Sequence, residues 1–230
     1  MSDIAGQLAF AARRMKRIAR TLTGGTRSGD DYSDYHHHRK SFFEELGCRS
    51  DVVFVGDSIT CNADWREVFP GLNATNRGVI SDRTDGVLHR IDSILSTRAH
   101  TAFVMIGFND IHQGFKVDQV FANYEKLVER LVESGMHVFV QSTLFAGTQH
   151  VQLNPAIGRL NERLQALCER FDGATYIDLN QALAFDGKLS SEYSRDGVHL
   201  NGHGYVAWRD AIGHLISAVA VPDQIPSADQ

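Results

Sequence analysis

The sequence predicts an α/β fold in which a parallel sheet is covered by helices on both faces. Short, continuous apolar runs have the pattern of strands that are buried on both sides. They alternate along the chain with stretches whose apolar residues recur every three or four positions, as on amphipathic helices. This alternation indicates parallel strands joined by helices, and 230 residues are enough for one sizeable domain.

Five segments are rich in β-branched and aromatic residues and are predicted to be strands. They are residues 52–55 with an end at Gly56, 74–80, 101–106, 137–141 and 175–179. Four segments with helical spacing lie between or after them. They run through residues 87–95, through 117–131, from 154 to 167, and from about 204 to 219.

The predicted domain covers residues 36–221, with a basic segment and linker at 1–35 and a polar tail at 222–230. The first 29 residues hold one acidic residue, six Lys and Arg residues, and apolar residues at helical spacing. Such a basic amphipathic helix suits peripheral contact with an anionic membrane surface. We favour the alternative that it packs on its own domain, or on a second subunit in a homo-oligomer.

Composition excludes several classes of partner. The net charge of −5 and the pI near 6.1 argue against nucleic acid. No apolar run approaches the roughly 20 residues of a transmembrane segment. Cys48, Cys61 and Cys168 show no CxxC spacing, which argues against a disulfide framework and a zinc site and favours a reducing, cytoplasmic location.

Four polar segments lie where a parallel sheet binds ligands, outside the carboxyl ends of its strands, or directly before the last helix. They read GDSI from Gly56, NRG from Asn76, GFND from Gly107 and DGVHL from Asp196. Each is ordinary turn chemistry when taken alone. Together they contain every group that acyl transfer requires.

A serine hydroxyl needs a neighbouring base before it can act as a nucleophile, and Ser58 stands at a strand-to-helix junction. His199 is the candidate base, and Asp196, three residues earlier, is close enough to bond its Nδ1 and leave Nε2 for Ser58. The developing oxyanion needs rigid donors. The amides of Ser58 and Gly78 and the side-chain amide of Asn109 are the candidates.

These segments resemble the four sequence blocks of the SGNH (GDSL-type) hydrolases, in the family's order, over about three quarters of the chain. The resemblance implies a flavodoxin-like three-layer α/β/α sandwich with a central five-stranded parallel sheet. It also implies ester hydrolysis through an acyl-enzyme, without metal or cofactor, and the same roles for the catalytic and oxyanion residues named above. The second block departs from the family in having Ser81-Asp82 where a glycine often stands.

The subset that the chain most resembles includes platelet-activating factor acetylhydrolases and bacterial carbohydrate O-acetylesterases. We therefore expect a short-chain acyl esterase acting on a small-molecule or glycan ester, with a carbohydrate O-acetylesterase as the leading interpretation. A lysophospholipase or thioesterase is an alternative, and so is an O-acyltransferase with the same triad. A non-catalytic glycan-binding protein is a further alternative, but the intact triad argues against it.

Other polar residues are predicted to have ordinary structural roles. Asp57 is expected to cap a helix and Asp110 to order a loop. His203 is expected to be a structural or surface residue, and His36–His38 a solvated polar stretch. Three residues near the predicted mouth of the site are either loop packing or substrate contacts: Phe108, His112 and His150.

Overall fold

The structure is a computed structural model, and it describes residues 32–219. The basic helix predicted near the N-terminus, most of the linker and the predicted polar tail lie outside these residues. No helix in the described range is long and apolar enough to cross a membrane.

The described residues contain ten α-helices, one 3₁₀-helix (Thr148–Leu153) and seven strands. The helices are α1 (Asp34–Glu45), α2 (Ser58–Cys61), α3 (Trp65–Val68), α4 (Thr84–His89), α5 (Ile91–Leu95), α6 (Phe108–His112), α7 (Val117–Glu133), α8 (Asn154–Cys168), α9 (Asn180–Leu183) and α10 (Gly202–Val219). The strands are β1 (Val52–Gly56), β2 (Ala74–Gly78), β3 (Thr101–Met105), β4 (His137–Gln141), β5 (Ala174–Ile177), β6 (Ala184–Phe185) and β7 (Lys188–Leu189).

Five strands form one parallel sheet in the order β2-β1-β3-β4-β5. Strands β1 and β3 are buried along their whole length, which explains why their sequences are apolar without alternation. The prediction of a central five-stranded parallel sheet is confirmed. Strands β6 and β7 form a separate antiparallel pair.

Each face of the sheet carries its own apolar core, because successive side chains of a strand point to opposite faces. On one face Val53 and Val55 pack with residues of α4, α5, α7 and α8. On the other face Val52 and Phe54 pack with residues of α2, α3, α9 and α10. Helices therefore cover both faces, as the predicted three-layer α/β/α sandwich requires.

Strand β2 ends at Gly78, two residues before its predicted end. The Val79 amide still donates to the carbonyl of Gly56, but the Asp82 amide turns back to the carbonyl of Val79. Ser81, inside this turn, has a left-handed φ of 61°. The strand cannot continue through such a turn, so residues 80–82 lie at the carboxyl end of the sheet.

The single helix predicted through residues 87–95 is wrong. The chain forms α4 and α5, separated at Arg90, whose φ of −115° and ψ of 20° are not helical. The Arg90 side chain is 1% exposed and bonds Asp82 and the carbonyl of Gly56. Apolar spacing continues across the break because both helices bury residues in the same core. The other long helices, α7, α8 and α10, lie where the sequence predicts them.

Helix α1 has no counterpart in the sequence prediction. It starts after Ser33, whose hydroxyl accepts a hydrogen bond from the amide of His36, and it buries Phe43. His36 is 2% exposed and lies 3.1 Å from Asp82, so the interpretation of this histidine as solvated is wrong. His37 and His38 are exposed, as predicted. Helical periodicity misses α1 because most of its residues are polar.

Candidate active site

The carboxyl ends of β1 and β3 open onto a cavity of about 340 Å³. Ser58, the first residue of α2, follows β1, and Asn109, in α6, follows β3. The loop before α10 brings Asp196 and His199 to the same cavity. The structure thus brings together four of the five predicted site residues at the sheet edge where parallel sheets bind ligands.

Gly56 and Asp57, which directly precede Ser58, fix its position. At Gly56 a Cβ atom would lie 2.2 Å from the hydroxyl oxygen of Thr60, so only glycine lets α2 approach the sheet this closely. Asp57 Oδ1 accepts a 3.0 Å hydrogen bond from the amide of Ile59, and the capping role predicted for Asp57 is confirmed. Ser58 therefore lies at the start of a helix, where the amide groups have no partner within the helix.

Ser58, His199 and Asp196 form a continuous hydrogen-bonded chain. Ser58 Oγ lies 2.9 Å from His199 Nε2, and His199 Nδ1 lies 2.7 Å from Asp196 Oδ2. With Nδ1 bonded to a carboxylate, Nε2 is the ring nitrogen left to accept a proton from the serine. This geometry can activate a serine hydroxyl for nucleophilic attack.

Several donors hold the Asp196 carboxylate in place. Its Oδ1 accepts hydrogen bonds from the amides of Val198 and His199, at 2.9 and 2.8 Å, and from the hydroxyl of Ser194 at 3.3 Å. Partial burial alone would raise the pKa of Asp196. The hydrogen bonds from the imidazole and the two amides outweigh it and hold the pKa well below its ordinary value. Asp196 is therefore an anion at neutral pH and can stabilise positive charge on the imidazole.

The loop that carries His199 is attached to the rest of the fold by its backbone. The amide of Gly147 donates a 2.7 Å hydrogen bond to the carbonyl of Gly197, which has a left-handed φ of 77°. A Cβ atom on Gly147 would lie 2.7 Å from the Cα atom of Gly197, so the contact needs glycine at both positions. From α10, the hydroxyl of Tyr205 donates to the carbonyl of Ile59 at 2.7 Å and so joins α10 to the nucleophile helix.

The structure contradicts the prediction that the amide of Gly78 is an oxyanion donor. That amide donates a 2.8 Å hydrogen bond to Asn76 Oδ1, and Gly78 does not line the cavity. A Cβ atom at Gly78 would lie 2.3 Å from the amide nitrogen of Cys61, so this glycine lets β2 pack against α2. Asn76 completes the junction by donating to three carbonyls at the end of α2 and just beyond it.

The sequence interpretation did not select Ser81. This residue lies in the cavity wall, where the amide of Gly78 was expected. It lines the cavity together with Ser58 and Asn109. Among the described residues, none accepts a hydrogen bond from its amide. Its left-handed backbone is a conformation that favours glycine, which explains why a glycine often stands here in the resembling family. That departure from the family pattern was the sequence signal that could have drawn attention to this position.

Asn109 is oriented by the same turn. Its Nδ2 donates a 2.9 Å hydrogen bond to the carbonyl of Asp82. This bond uses one of the two N–H groups of the Asn109 side chain. The adjacent Asp110 accepts hydrogen bonds from the amide and the hydroxyl of Thr84, so its predicted role in ordering a loop is confirmed. Burial raises the pKa of Asp110 to about 7, although the bonds from Thr84 oppose the shift.

A buried ionic cluster supports this turn from the opposite side. Asp82 Oδ2 accepts a 2.8 Å hydrogen bond from Arg90 Nε, and Asp82 Oδ1 lies 3.1 Å from His36 Nε2. All three side chains are at most 2% exposed. His36 belongs to α1, so this helix contacts the turn that carries Ser81 and holds Asn109. The sequence prediction missed the cluster because its members are 46 and 8 residues apart, without a motif.

Three rings line the cavity beside Ser58. Phe108 and His112 stack with ring centroids 6.0 Å apart, and His112 meets His150 edge to face at 5.4 Å. Among residues 32–219, no group of three or more histidine, cysteine or carboxylate side chains is arranged to hold a metal ion. The cavity therefore combines an aromatic wall with the polar groups around Ser58.

The parallel sheet and the Ser58–His199–Asp196 chain define the class of the α/β serine hydrolases. The model of the GDSL-like Lipase/Acylhydrolase family matches residues 54–207, and the chain belongs to that family. The description of that family, as lipases and acylhydrolases, agrees with the resemblance to the SGNH hydrolases.

The relatives and structural neighbours of the chain carry names that refer to different substrates. The N-acylneuraminate cytidylyltransferase of Streptococcus agalactiae serotype V is 25% identical over 174 residues, which cover 74% of this chain and 40% of the relative. The chain therefore spans less than half the length of that relative. The platelet-activating factor acetylhydrolase IB subunit alpha1 of Bos taurus is 28% identical over 81% of this chain and 84% of its own. A catalytic mutant of an acetylxylan esterase from Geobacillus stearothermophilus shares the fold, with a TM-score of 0.61 and 16% identity, covering 74% of this chain and 95% of its own.

Proposed function

We propose that the chain hydrolyses short-chain acyl esters, most specifically acetyl esters of carbohydrates, with Ser58 as nucleophile. The observation that carries the proposal is the hydrogen-bonded chain from Ser58 Oγ through His199 to Asp196, at 2.9 and 2.7 Å. An arrangement of this kind activates a serine on unrelated folds.

In the first half of the reaction, His199 Nε2 takes the proton of Ser58 as the hydroxyl attacks the ester carbonyl. The negative charge then forms on the carbonyl oxygen, where the amides of Ser58 and Ser81 and the side chain of Asn109 donate hydrogen bonds. Asp196 balances the positive charge on the imidazole. When the alcohol leaves, it takes the proton from His199 and the acyl group stays on Ser58.

Water completes the cycle. His199 removes a proton from the water as it attacks the acyl-enzyme, and the same donors again stabilise the oxyanion. The carboxylic acid leaves when the proton returns to Ser58. In each half His199 Nε2 takes up one proton and gives it away again, so Nε2 is unprotonated in the acyl-enzyme and Nδ1 stays bonded to Asp196 throughout.

Two features support an acetylated carbohydrate as the substrate. The cavity of about 340 Å³ lies at the small end of the usual range of ligand pockets, which favours a small acyl group beside Ser58. Its wall also offers aromatic and imidazole rings, which suit the faces and hydroxyls of a sugar. The names of the acetylxylan esterase neighbour and of the N-acylneuraminate enzyme point in the same direction.

The test compares p-nitrophenyl acetate, butyrate and octanoate, and then acetylated sugars. We expect kcat/KM to peak at acetyl, because a longer chain gains no further buried contacts, whereas each fully buried methylene would contribute about 0.8 kcal/mol. Ser58→Ala should remove nearly all activity and leave the thermal unfolding temperature unchanged. A preference for octanoate would contradict the short-chain proposal, and activity in Ser58→Ala would contradict the mechanism.

A lipid alcohol is the second candidate, because the Bos taurus relative is named for an acetylated lipid and matches most of both chains. Under this alternative the enzyme still removes acetyl groups, but from a phospholipid analogue in vesicles. Deleting residues 1–29 should then lower activity on anionic vesicles while p-nitrophenyl acetate is hydrolysed at the parent rate. Equal activity on vesicles with and without this segment, together with higher kcat/KM on acetylated sugars, would reject the lipid candidate.

A further inference from the structure

A second groove, of about 640 Å³, lies at the outer edge of the sheet beside β2 and α1. Four arginines line it: Arg39, Arg49, Arg66 and Arg77. We call it the arginine groove, defined by these four side chains together with Cys48 and Thr75. The one carboxylate among the residues that line it is Asp64, whose Oδ1 accepts a hydrogen bond from the backbone amide of Arg66.

Arg77 is the buried member of the groove, with 4% exposure. Its Nε donates to the carbonyl of Ser93 at 3.1 Å, and its Nη1 makes a longer bond of 3.4 Å to the carbonyl of Asn76. Its Nη2, which has no carbonyl partner among the described residues, lies 4.0 Å from Cys48 Sγ. A guanidinium buried without a carboxylate is costly, because neutral carbonyls do not offset the loss of hydration.

Two further guanidinium groups lie close to the first. Those of Arg77 and Arg39 stand 4.5 and 4.6 Å from the ring centre of Phe43, and that of Arg90 stands 5.9 Å from it. Arg90 is neutralised by Asp82, but neither Arg39 nor Arg77 has an ion pair among the described residues. The Nε atom of Arg39 is buried and has no hydrogen-bond acceptor there. The cluster around Phe43 thus carries two positive charges in excess.

The positive charges in the groove affect the thiol of Cys48. Its thiol lies 3.3 Å from Thr75 Oγ1. This hydrogen bond lowers the pKa of Cys48, partial burial opposes the shift, and the charges of Arg77 and Arg66 lower the pKa further. Cys48 and Cys61 both line the groove, and the lowered pKa of Cys48 increases its reactivity as a thiol, so its alkylation rate can report what occupies the groove.

We propose that the arginine groove binds the phosphate group of a small phosphate ester. Two uncompensated guanidinium groups match the charge of a dianion, and their planar N–H forks match the oxygens of phosphate. Arg77 Nη2, whose one hydrogen-bond acceptor among the described residues is Cys48 Sγ at 4.0 Å, and the unpartnered Nε of Arg39 are the donors that a phosphate oxygen would satisfy. The groove is separate from the cavity that holds Ser58, so this site is distinct from the one that cleaves the ester.

The experiment measures alkylation of Cys48 by iodoacetamide in the full-length protein, resolved by peptide mass spectrometry. Inorganic phosphate should slow alkylation at Cys48 by about threefold or more at saturation, since it occupies the donors beside the thiol. Potassium chloride at the same ionic strength should not. Cys168 is buried outside the groove, and burial raises its pKa to about 11, so it should stay unalkylated in every sample and thereby report that the protein remains folded.

Variants locate the site. Arg39→Gln with Arg66→Gln should weaken phosphate protection by about tenfold while leaving hydrolysis of p-nitrophenyl acetate unchanged, because each removes a charged donor from the groove and neither touches the ester site. Arg163→Gln, which changes an exposed arginine paired with Asp118 outside the groove, should bind phosphate like the parent. Arg77→Gln is expected to abolish protection, and the Arg39→Gln, Arg66→Gln variant keeps the test valid if Arg77→Gln unfolds.

Two further probes distinguish a soluble phosphate ester from a lipid headgroup as the source of the phosphate group. Protection by sn-glycerol 3-phosphate supports a soluble phosphate ester, whereas protection by phosphatidate vesicles alone supports a lipid headgroup with the same chemistry. If none of the three probes protected Cys48 from alkylation, the proposal would be overturned. So would protection that persists undiminished in the Arg39→Gln, Arg66→Gln variant.

Discussion

The side chain of Asn109 offers the sharpest test of the oxyanion site, because its two N–H groups have separate tasks. One N–H is committed to the carbonyl of Asp82 at 2.9 Å. The other is left for the substrate oxygen, in a residue that lines the cavity with Ser58 and Ser81. Asn109→Ala removes both, so we expect two effects of different size and different readout.

The effect on catalysis should be the larger one. Loss of one oxyanion donor lowers kcat by about 100- to 1,000-fold, equivalent to about 3–4 kcal/mol, with little change in KM. Loss of the hydrogen bond to Asp82 affects folding instead, and should lower the free energy of unfolding by about 1 kcal/mol. Steady-state kinetics on p-nitrophenyl acetate measure the first effect, and urea unfolding measures the second.

A matched control separates the two effects. Asn123 Nδ2 donates a 3.0 Å hydrogen bond to Thr84 Oγ1 but lies outside the cavity. Asn123→Ala should therefore lower stability by a similar amount and leave kcat unchanged. If Asn109→Ala kept kcat within a few-fold of the parent, the side chain would not be an oxyanion donor. If both variants lost kcat equally, packing of the loop would explain the effect.

Three further changes test other parts of the structure. Asp196→Asn should lower kcat by about ten-thousandfold, since an amide supports the wrong imidazole tautomer, and a loss below tenfold would contradict its role. Burial raises the pKa of Asp57 from 3.8 to about 7, so the folded protein keeps a proton that the unfolded chain loses, and the free energy of unfolding should fall as pH rises between these values. Asp57→Asn should reduce the slope of that part of the pH profile in urea unfolding without abolishing it, because the pKa of Asp110 is also raised to about 7; an unchanged profile would refute the assignment. His36→Ala should lower kcat more than KM rises, through the turn held by Asp82, with recovery in His36→Gln and no effect from His37→Ala.

The strands could be predicted because each one is a local feature of the sequence. Residues 52–56 and 101–105 are buried on both faces, so their composition alone identifies them. The spacing of Asp196 and His199 is equally local, and the structure has the expected contact at 2.7 Å. The catalytic roles of these residues stay predictions.

The features that sequence reasoning missed depend on contacts between distant residues. Helix α1 is polar along most of its length, and His36 is buried by a partner 46 residues away. The break at Arg90 is invisible to apolar periodicity, because both helices face one core. Gly78 was mistaken for a donor because glycine also serves close packing, which is its role against Cys61.

The position of α10 has a consequence for how the enzyme acquires activity. Ser58 and His199 are 141 residues apart, and α10 begins three residues after His199. Trp208 of α10 meets Trp65 at 5.0 Å, and Tyr205 bonds the nucleophile helix at Ile59. Closing so long a stretch of chain is a late and slow event in folding. Under the proposed mechanism, we therefore expect a partly refolded chain to be inactive as an esterase even when its sheet has formed, and hydrolysis to return only when α10 has packed.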